Sequence, residues 1–294
     1  MVGTGDTQEN VMGEIADRMA QDLRLRNYSR STQYAYLRSA RAFVAFHLKP
    51  PTEMGEKEIR SFLSWLVAHK GISANGLRKF VGGIKFLYRV TLNRPEVVER
   101  LPWPRHPKHL PPVPSTEQVA ALLRAADGDP RLRAHMMLGY GAGLRVSEAC
   151  HVRIQDIDSA RGVLHVRRGK GDKDRITVLC PRLLAALRDW WRVERPAGPW
   201  LFPGRAAGKP ITVAAMNTHF VRARQRAGLP KWFTFHSLRH AFATHLLESG
   251  LDILTIQGLL GHSQLKTTLT YLRVRTAHIQ KVRSPLEDLD FTPK

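Results

Sequence analysis

The chain has 294 residues, and 46 lysines and arginines against 25 acidic residues leave it a formal charge of +21. That surplus demands an anionic partner, while 43% hydrophobic residues exclude disorder as its cause and the length, about two domains, suffices for a sizeable core. Two cysteines, Cys150 and Cys180, with no CxxC pair, exclude a disulfide framework and a cysteine-zinc module and fit a reducing cytoplasm.

No run of 18 apolar residues occurs, and residues 1–10 have neither a basic nor an apolar export signature, so a cytoplasmic chain with no membrane partner is expected. The basic excess is mostly arginine, 33 against 13 lysines. Its planar fork takes phosphate oxygens in pairs, which makes nucleic acid the leading partner.

Residues 1–10 read as a flexible N-terminus. Apolar residues at helical spacing then predict four amphipathic helices over 11–100. One covers residues 11–25; the second follows Ser31 with Leu37, Ala40, Phe43, Val44 and Leu48 on one face. The third carries Ile59, Phe62, Leu63, Leu66 and Val67 before Gly71, and the fourth follows Ser73 with Leu77, Phe80, Val81, Ile84, Leu87 and Tyr88. Phe43, Phe46, Phe62, Trp65, Phe80 and Phe86 share the helical period and read as core rather than as base-stacking platforms. Arg24, Arg26, Arg30, Arg38, Arg41, Arg78, Lys79, Lys85 and Arg89 fall on the polar faces, positioned to lie along a duplex backbone or simply to be solvated.

Six prolines in the fourteen residues 101–114 predict an extended linker. Residues 1–110 hold 18 basic and 10 acidic side chains, a charge of +8, and the rest of the chain carries +13, so both parts should meet the same polyanion. After the linker, Ser115 with Gln118 is a capping-box start, and 130–140 continues helical. Period-two alternation over 162–167 and 175–179, around a Gly-Lys-Gly-Asp-Lys-Asp turn, predicts a β-hairpin. Helical periods return over 183–193, 213–227, 236–249 and 252–260. The expected fold is mainly α with a small antiparallel β-sheet: a helical domain over 11–100, an α+β domain over 115–283 and a tail over 284–294.

Four short stretches stand apart: GLRVSE with Arg145, GKG with Lys170, HSLRH with His236 and Arg239, and LLGH with His262, followed nine residues later by Tyr271. Each alone is weak, since surface arginines are commonly solvated and helical histidines commonly structural. In this order and spacing, together with the helical N-terminal part, they resemble the tyrosine recombinase (phage integrase) family over essentially the whole chain. Residues 23–47 are most similar to Xer-type recombinases and integron integrases.

The resemblance implies a SAM-like four-helix DNA-binding domain, an α+β catalytic domain, and Arg145, Lys170, His236, Arg239, His262 and Tyr271 as the active site. It implies a site-specific recombinase that cuts and rejoins double-stranded DNA at paired sites. Such an enzyme works as a homotetramer on DNA, a monomer or dimer when free, with host accessory proteins and neither metal nor nucleotide cofactor. Chemistry agrees with those roles. A phenol can capture a cleaved strand as a 3′-phosphotyrosine, making Tyr271 the candidate nucleophile. With a pKa near 10 it needs a proton acceptor, for which His236 and His262 are both suited. Arg145 and Arg239 are suited to clamp the phosphorane oxygens, and Lys170 to protonate the leaving 5′-oxygen. Lys173 and Arg175, beside the hairpin tip, join the DNA-contacting set.

His236 and Arg239, three apart, share a helical face; His240 points elsewhere. Glu148 either orients Arg145 or forms a helix-surface ion pair. His236, His240 and His245 invite a zinc reading, but no HExxH glutamate lies between them, and RRGKGDKD lacks the context of a phosphate-binding loop. After Tyr271 a short amphipathic helix is expected, then the acidic tail, which either docks on a neighbouring subunit, as in relatives, or frays. Two rival functions are a type IB topoisomerase-like relaxer and an inactive DNA-binding accessory protein; the six filled positions argue against the latter.

Overall fold

A computed structural model describes residues 5–105, 112–167 and 174–261 and separates into two units, Met1–His109 and Leu110–Lys294. The first holds the four anticipated helices, α1 (Gly5–Leu25), α2 (Arg30–His47), α3 (Glu56–Lys70) and α4 (Ala74–Phe86). Local chemistry sets most of their ends. The hydroxyls of Ser29 and Ser73 accept from the backbone N–H groups of Thr32 and Gly76, and Gly71 closes α3 in the left-handed region at φ 56°. α1 starts at Gly5, within the residues read as a flexible N-terminus.

Phe43, Phe62 and Phe86 are buried, with Phe46, Trp65 and Phe80 packed partly buried around them, so the aromatic stripe is core. α2 and α4 approach closely because position 83 is glycine: a Cβ there would lie 2.7 Å from that of Ser39, a buried residue whose hydroxyl is turned back to the Ala35 carbonyl. After Phe86 the helix widens into a π-turn, Leu87–Thr91, followed by the short α5 (Glu96–Glu99).

One expectation about the first unit changes. Lys85 does not face solvent. It is buried, its ammonium 5.3 Å from the centre of the Trp103 ring, and desolvation followed by the charge of Arg89 lowers its pKa. A cation desolvated against an indole is unavailable to a DNA backbone. The proline-rich segment is anchored at its start, for Leu101 is buried in the core and Arg78, stacked over Trp103, donates to the Pro104 carbonyl at 3.0 Å. The other predicted contacts here, Arg24, Arg26, Arg30, Arg38, Arg41, Arg78, Lys79 and Arg89, are exposed.

In the second unit, Ser115 and Gln118 form the reciprocal cap of α6 (Thr116–Arg124), and α7 (Pro130–Gly141) is the central buried helix, packed against α9 (Pro181–Glu194) and α11 (Phe235–Glu248). Between α7 and α9 come the short α8 (Val146–Cys150) and a three-stranded antiparallel sheet in the order β1 (Ile157–Asp158), β2 (Val163–Val166), β3 (Arg175–Val178). The hairpin is as anticipated, with Leu164 opposite Thr177 and Val166 opposite Arg175; β1 is an addition. α10 (Val213–Arg226) and α12 (Ile253–Leu260) complete the unit, α12 lying against β3. No helix among the described residues is long and apolar enough to cross a membrane.

α7 buries His135 completely, its ring 5.3 Å from that of Phe202 and 4.8 Å from that of Phe235, with Nε2 3.5 Å from the Cys150 sulfur. Burial, then the charge of Arg131, pulls its pKa down to about 3, and burial pushes the Cys150 thiol up to about 12. The unfolded chain takes up a proton at this imidazole near pH 6.5, whereas the native state declines it until about 3. Stability should therefore fall below pH 6.5 by roughly 1.4 kcal/mol per pH unit from this residue, about 3 kcal/mol by pH 4. Denaturant unfolding of wild type and His135→Leu at pH 7, 5 and 4 checks this. The leucine variant should gain relative stability as the pH falls; parallel curves would contradict it.

Candidate active site

The turn after α7 delivers Arg145. Gly143 sits at φ 66°, and a Cβ there would come within 2.6 Å of the Phe242 ring, so glycine is required both for the turn and for the approach of α11. Leu144 is buried, and Arg145 follows as the N-cap of α8. Its backbone N–H donates to Glu148 Oε2 at 2.8 Å and its Nη1 to Oε1 at 2.6 Å.

Glu148 is no helix-surface partner. Its side chain is 5% exposed and accepts from two arginines, with a third alongside. Arg175 on β3 donates Nη1 to Oε1 at 3.0 Å and Nη2 to Oε2 at 2.8 Å, a fork-on-carboxylate geometry. Arg239 Nη1, from α11, lies 3.6 Å from Oε2. Burial pushes the Glu148 pKa up, but the hydrogen bonds and charge of Arg175, then those of Arg145, outweigh it and bring the group to about 2. The four side chains together carry a formal charge of +2, gathered at one end of α8.

His236 opens α11 one turn before Arg239. It is solvent-exposed as a residue, yet partial desolvation, then the charges of Arg239 and Arg145, hold its pKa below the ordinary value. A neutral imidazole able to accept a proton at pH 7 is the consequence.

Two arginines are not placed as anticipated. Arg175 was expected to contact DNA, but its side chain is 8% exposed and its three nitrogens are engaged, two by Glu148 and Nε by the Leu259 carbonyl at 2.8 Å. Arg239, read from the sequence as suited to clamp the phosphorane oxygens together with Arg145, is held by the backbone around it. It is fully buried, donating to the Gly143 carbonyl at 2.5 Å and to that of Leu260 at 2.7 Å. Both have long-range carbonyl partners that offset part of the cost of removing a guanidinium from water. Arg145, at 22% side-chain exposure, is the arginine of the cluster that offers surface.

His245 Nδ1 is paired with the Tyr140 hydroxyl at 3.0 Å, and no group of three metal-ligating side chains occurs among the described residues. Lys170, Lys173, His262, Tyr271 and the acidic tail lie outside the described residues. The carbonyls of Leu259 and Leu260, which end α12 just before His262, are the ones held by Arg175 and Arg239.

Known proteins agree with this architecture. The phage integrase family profile matches residues 114–278, and that of the phage integrase N-terminal SAM-like domain matches 15–96. An integrase/recombinase of Sinorhizobium fredii is 43% identical over 96% of this chain and 91% of its own. The tyrosine recombinase XerA of Pyrococcus furiosus is 35% identical over 93% of this chain and 94% of its own. Among solved structures, a lambda integrase tetramer bound to a Holliday junction superposes with a TM-score of 0.69 over 88% of this chain and 76% of that one; at 20% identity this likeness concerns the fold alone.

Proposed function

The chain belongs to the phage integrase family of tyrosine recombinases, which makes it a site-specific recombinase, and we propose that it cuts and rejoins double-stranded DNA through a 3′-phosphotyrosine on Tyr271. The observation that carries this reading is the gathering of Arg145, Arg175 and Arg239 on the single buried carboxylate of Glu148. A carboxylate there fixes the cations without neutralising them. The surplus positive charge is matched to a phosphodiester that becomes a more negative phosphorane during attack, and charge preorganised for a transition state needs no rearrangement when it develops.

In this scheme the Tyr271 oxygen attacks the scissile phosphorus, the phosphorus–5′-oxygen bond breaks, and the strand is left as a phosphodiester on the phenol. The phenolic proton passes to a histidine, for which the neutral His236 is poised, and Lys170 gives the 5′-oxygen its proton. Arg145 touches the non-bridging oxygens, and Arg239, buried, acts through its fixed charge. Attack by a 5′-hydroxyl of a second duplex on the phosphotyrosine restores the backbone and frees the phenol, so bond energy is kept and no metal or nucleotide enters. A tetramer spanning two duplexes supplies the four phenols that exchange of both strands requires, an assembly supported by the lambda integrase tetramer on a Holliday junction. The exposed arginines of the first unit hold the duplex by its phosphates.

Incubating the chain with a duplex nicked just beyond the scissile bond, so that the short released fragment bearing the 5′-hydroxyl diffuses away, should trap the adduct. After proteolysis, a peptide spanning position 271 should carry nucleotide mass. Nucleotide on any other peptide, or on none, sinks the proposal.

A further inference from the structure

We propose that Arg175 is a positioning residue of the recombination site, holding Glu148, and through it Arg145, in register with the end of α12. This rests on the reading of the site given above and changes the role of a side chain that composition alone would assign to DNA.

Three connections converge on this arginine. Its fork closes on both oxygens of Glu148, and Nε reaches past it to the Leu259 carbonyl. Two residues further along β3, on the same face, Thr177 donates to the Ala142 carbonyl at 2.9 Å, tying the strand to the turn that feeds Arg145. β3 thus fastens the turn at 142–145 and the carboxylate of α8, which follow one another in the chain, to the final turn of α12, far away in sequence. Of these, Arg175 fastens the last two with one planar group.

The chemistry is specific to arginine. Five donors in a rigid fork can satisfy a carboxylate in pairs and still leave Nε for a carbonyl, whereas an ammonium places one point charge and cannot span both. Freed from Arg175, Glu148 would retain Arg145 and Arg239 but lose the contact that fixes its plane. Arg145 would then sample orientations away from the phosphate, and looseness of this kind costs rate rather than affinity.

The test compares wild type, Arg175→Lys, Arg175→Gln, Glu148→Gln and the double variant R175K/E148Q. The probe is a nicked duplex enriched from a random pool by binding to the wild-type chain. DNA affinity and its salt dependence should stay within twofold for Arg175→Lys and Arg175→Gln, while single-turnover adduct formation drops about 10–100-fold, as for other residues that orient a catalytic group. Lysine should not rescue, and adding Arg175→Lys to Glu148→Gln should slow cleavage no more than twofold further. Wild-type cleavage by Arg175→Lys overturns the proposal, as do multiplicative losses in the double variant. So does a loss of affinity with a shallower salt slope, which would make Arg175 a phosphate contact. Failure of both single Arg175 variants to fold at the assay temperature would assign the residue to the fold instead. If the wild-type chain itself forms no adduct with the duplex it selected, the phosphotyrosine reading fails, whatever Arg175 does.

Discussion

Glu148→Ala should lower the stability of the second unit by about 3–5 kcal/mol and abolish measurable adduct formation. Removing one member of a buried ionic cluster costs that much because the charges left behind have been desolvated and lose their counter-ion. Here three guanidiniums remain, two of them at 8% and 0% side-chain exposure. Arg175 and Arg239 keep their carbonyl partners but face each other's charge without the carboxylate between them. For a unit of this size each kcal/mol moves the melting temperature by about 2–4 °C, so a fall of roughly 6–20 °C is expected by calorimetry. Protonation cannot mimic the substitution near neutrality. Glu148 titrates at about 2 in the folded state, so its contribution is complete above pH 4.5 and is lost only as the pH falls toward 2. A variant that melts within 2 °C of wild type would show that the cluster is not held by this carboxylate.

What could be read from the sequence, and what could not, follows from the range of each interaction. Ser73 as a cap, the Ser115–Gln118 box and Gly71 as a stop act within five residues, and the ends they set were legible, whereas α2, expected after Ser31, starts at Arg30 with Ser29 as its cap. The pairing of Arg145 with Glu148 was legible for the same reason. β1, two residues long, and the π-turn at Leu87–Thr91 exist through packing against the rest of their units and leave no periodicity. Long-range capture hid the rest. Arg175 meets Glu148 across 27 positions and Arg239 meets Gly143 across 96, and an arginine destined for burial looks like any other. One signal was available: alternation along β3 puts Arg175 on the face of the buried Thr177 and leaves Ile176 outward. Lys85 gave a weaker one, lying directly after the core residue Ile84 in α4, with Trp103 in the segment that folds back.

Tyr271→Phe should bind DNA within twofold of wild type yet form no covalent adduct, a loss of at least about 10⁴-fold in cleavage, the scale seen when a nucleophile is deleted. The chain has six tyrosines, and only Tyr140 and Tyr271 belong to the unit that carries the arginine cluster. Tyr140 is the rival to exclude, because its hydroxyl is 3.0 Å from His245 Nδ1, the arrangement of a nucleophile beside its base. Its chemistry runs the other way. Burial raises its pKa, which makes the phenolate harder to form, and among the described residues its hydroxyl is bonded to His245 and not to Arg145 or Glu148. Tyr140→Phe should therefore keep adduct formation within a few-fold of wild type. In a denaturing gel of radiolabelled duplex, the slow band should vanish with Tyr271→Phe and persist with Tyr140→Phe. The reverse pattern would move the nucleophile onto α7, beside His245, and leave the cluster around Glu148 without a reacting partner.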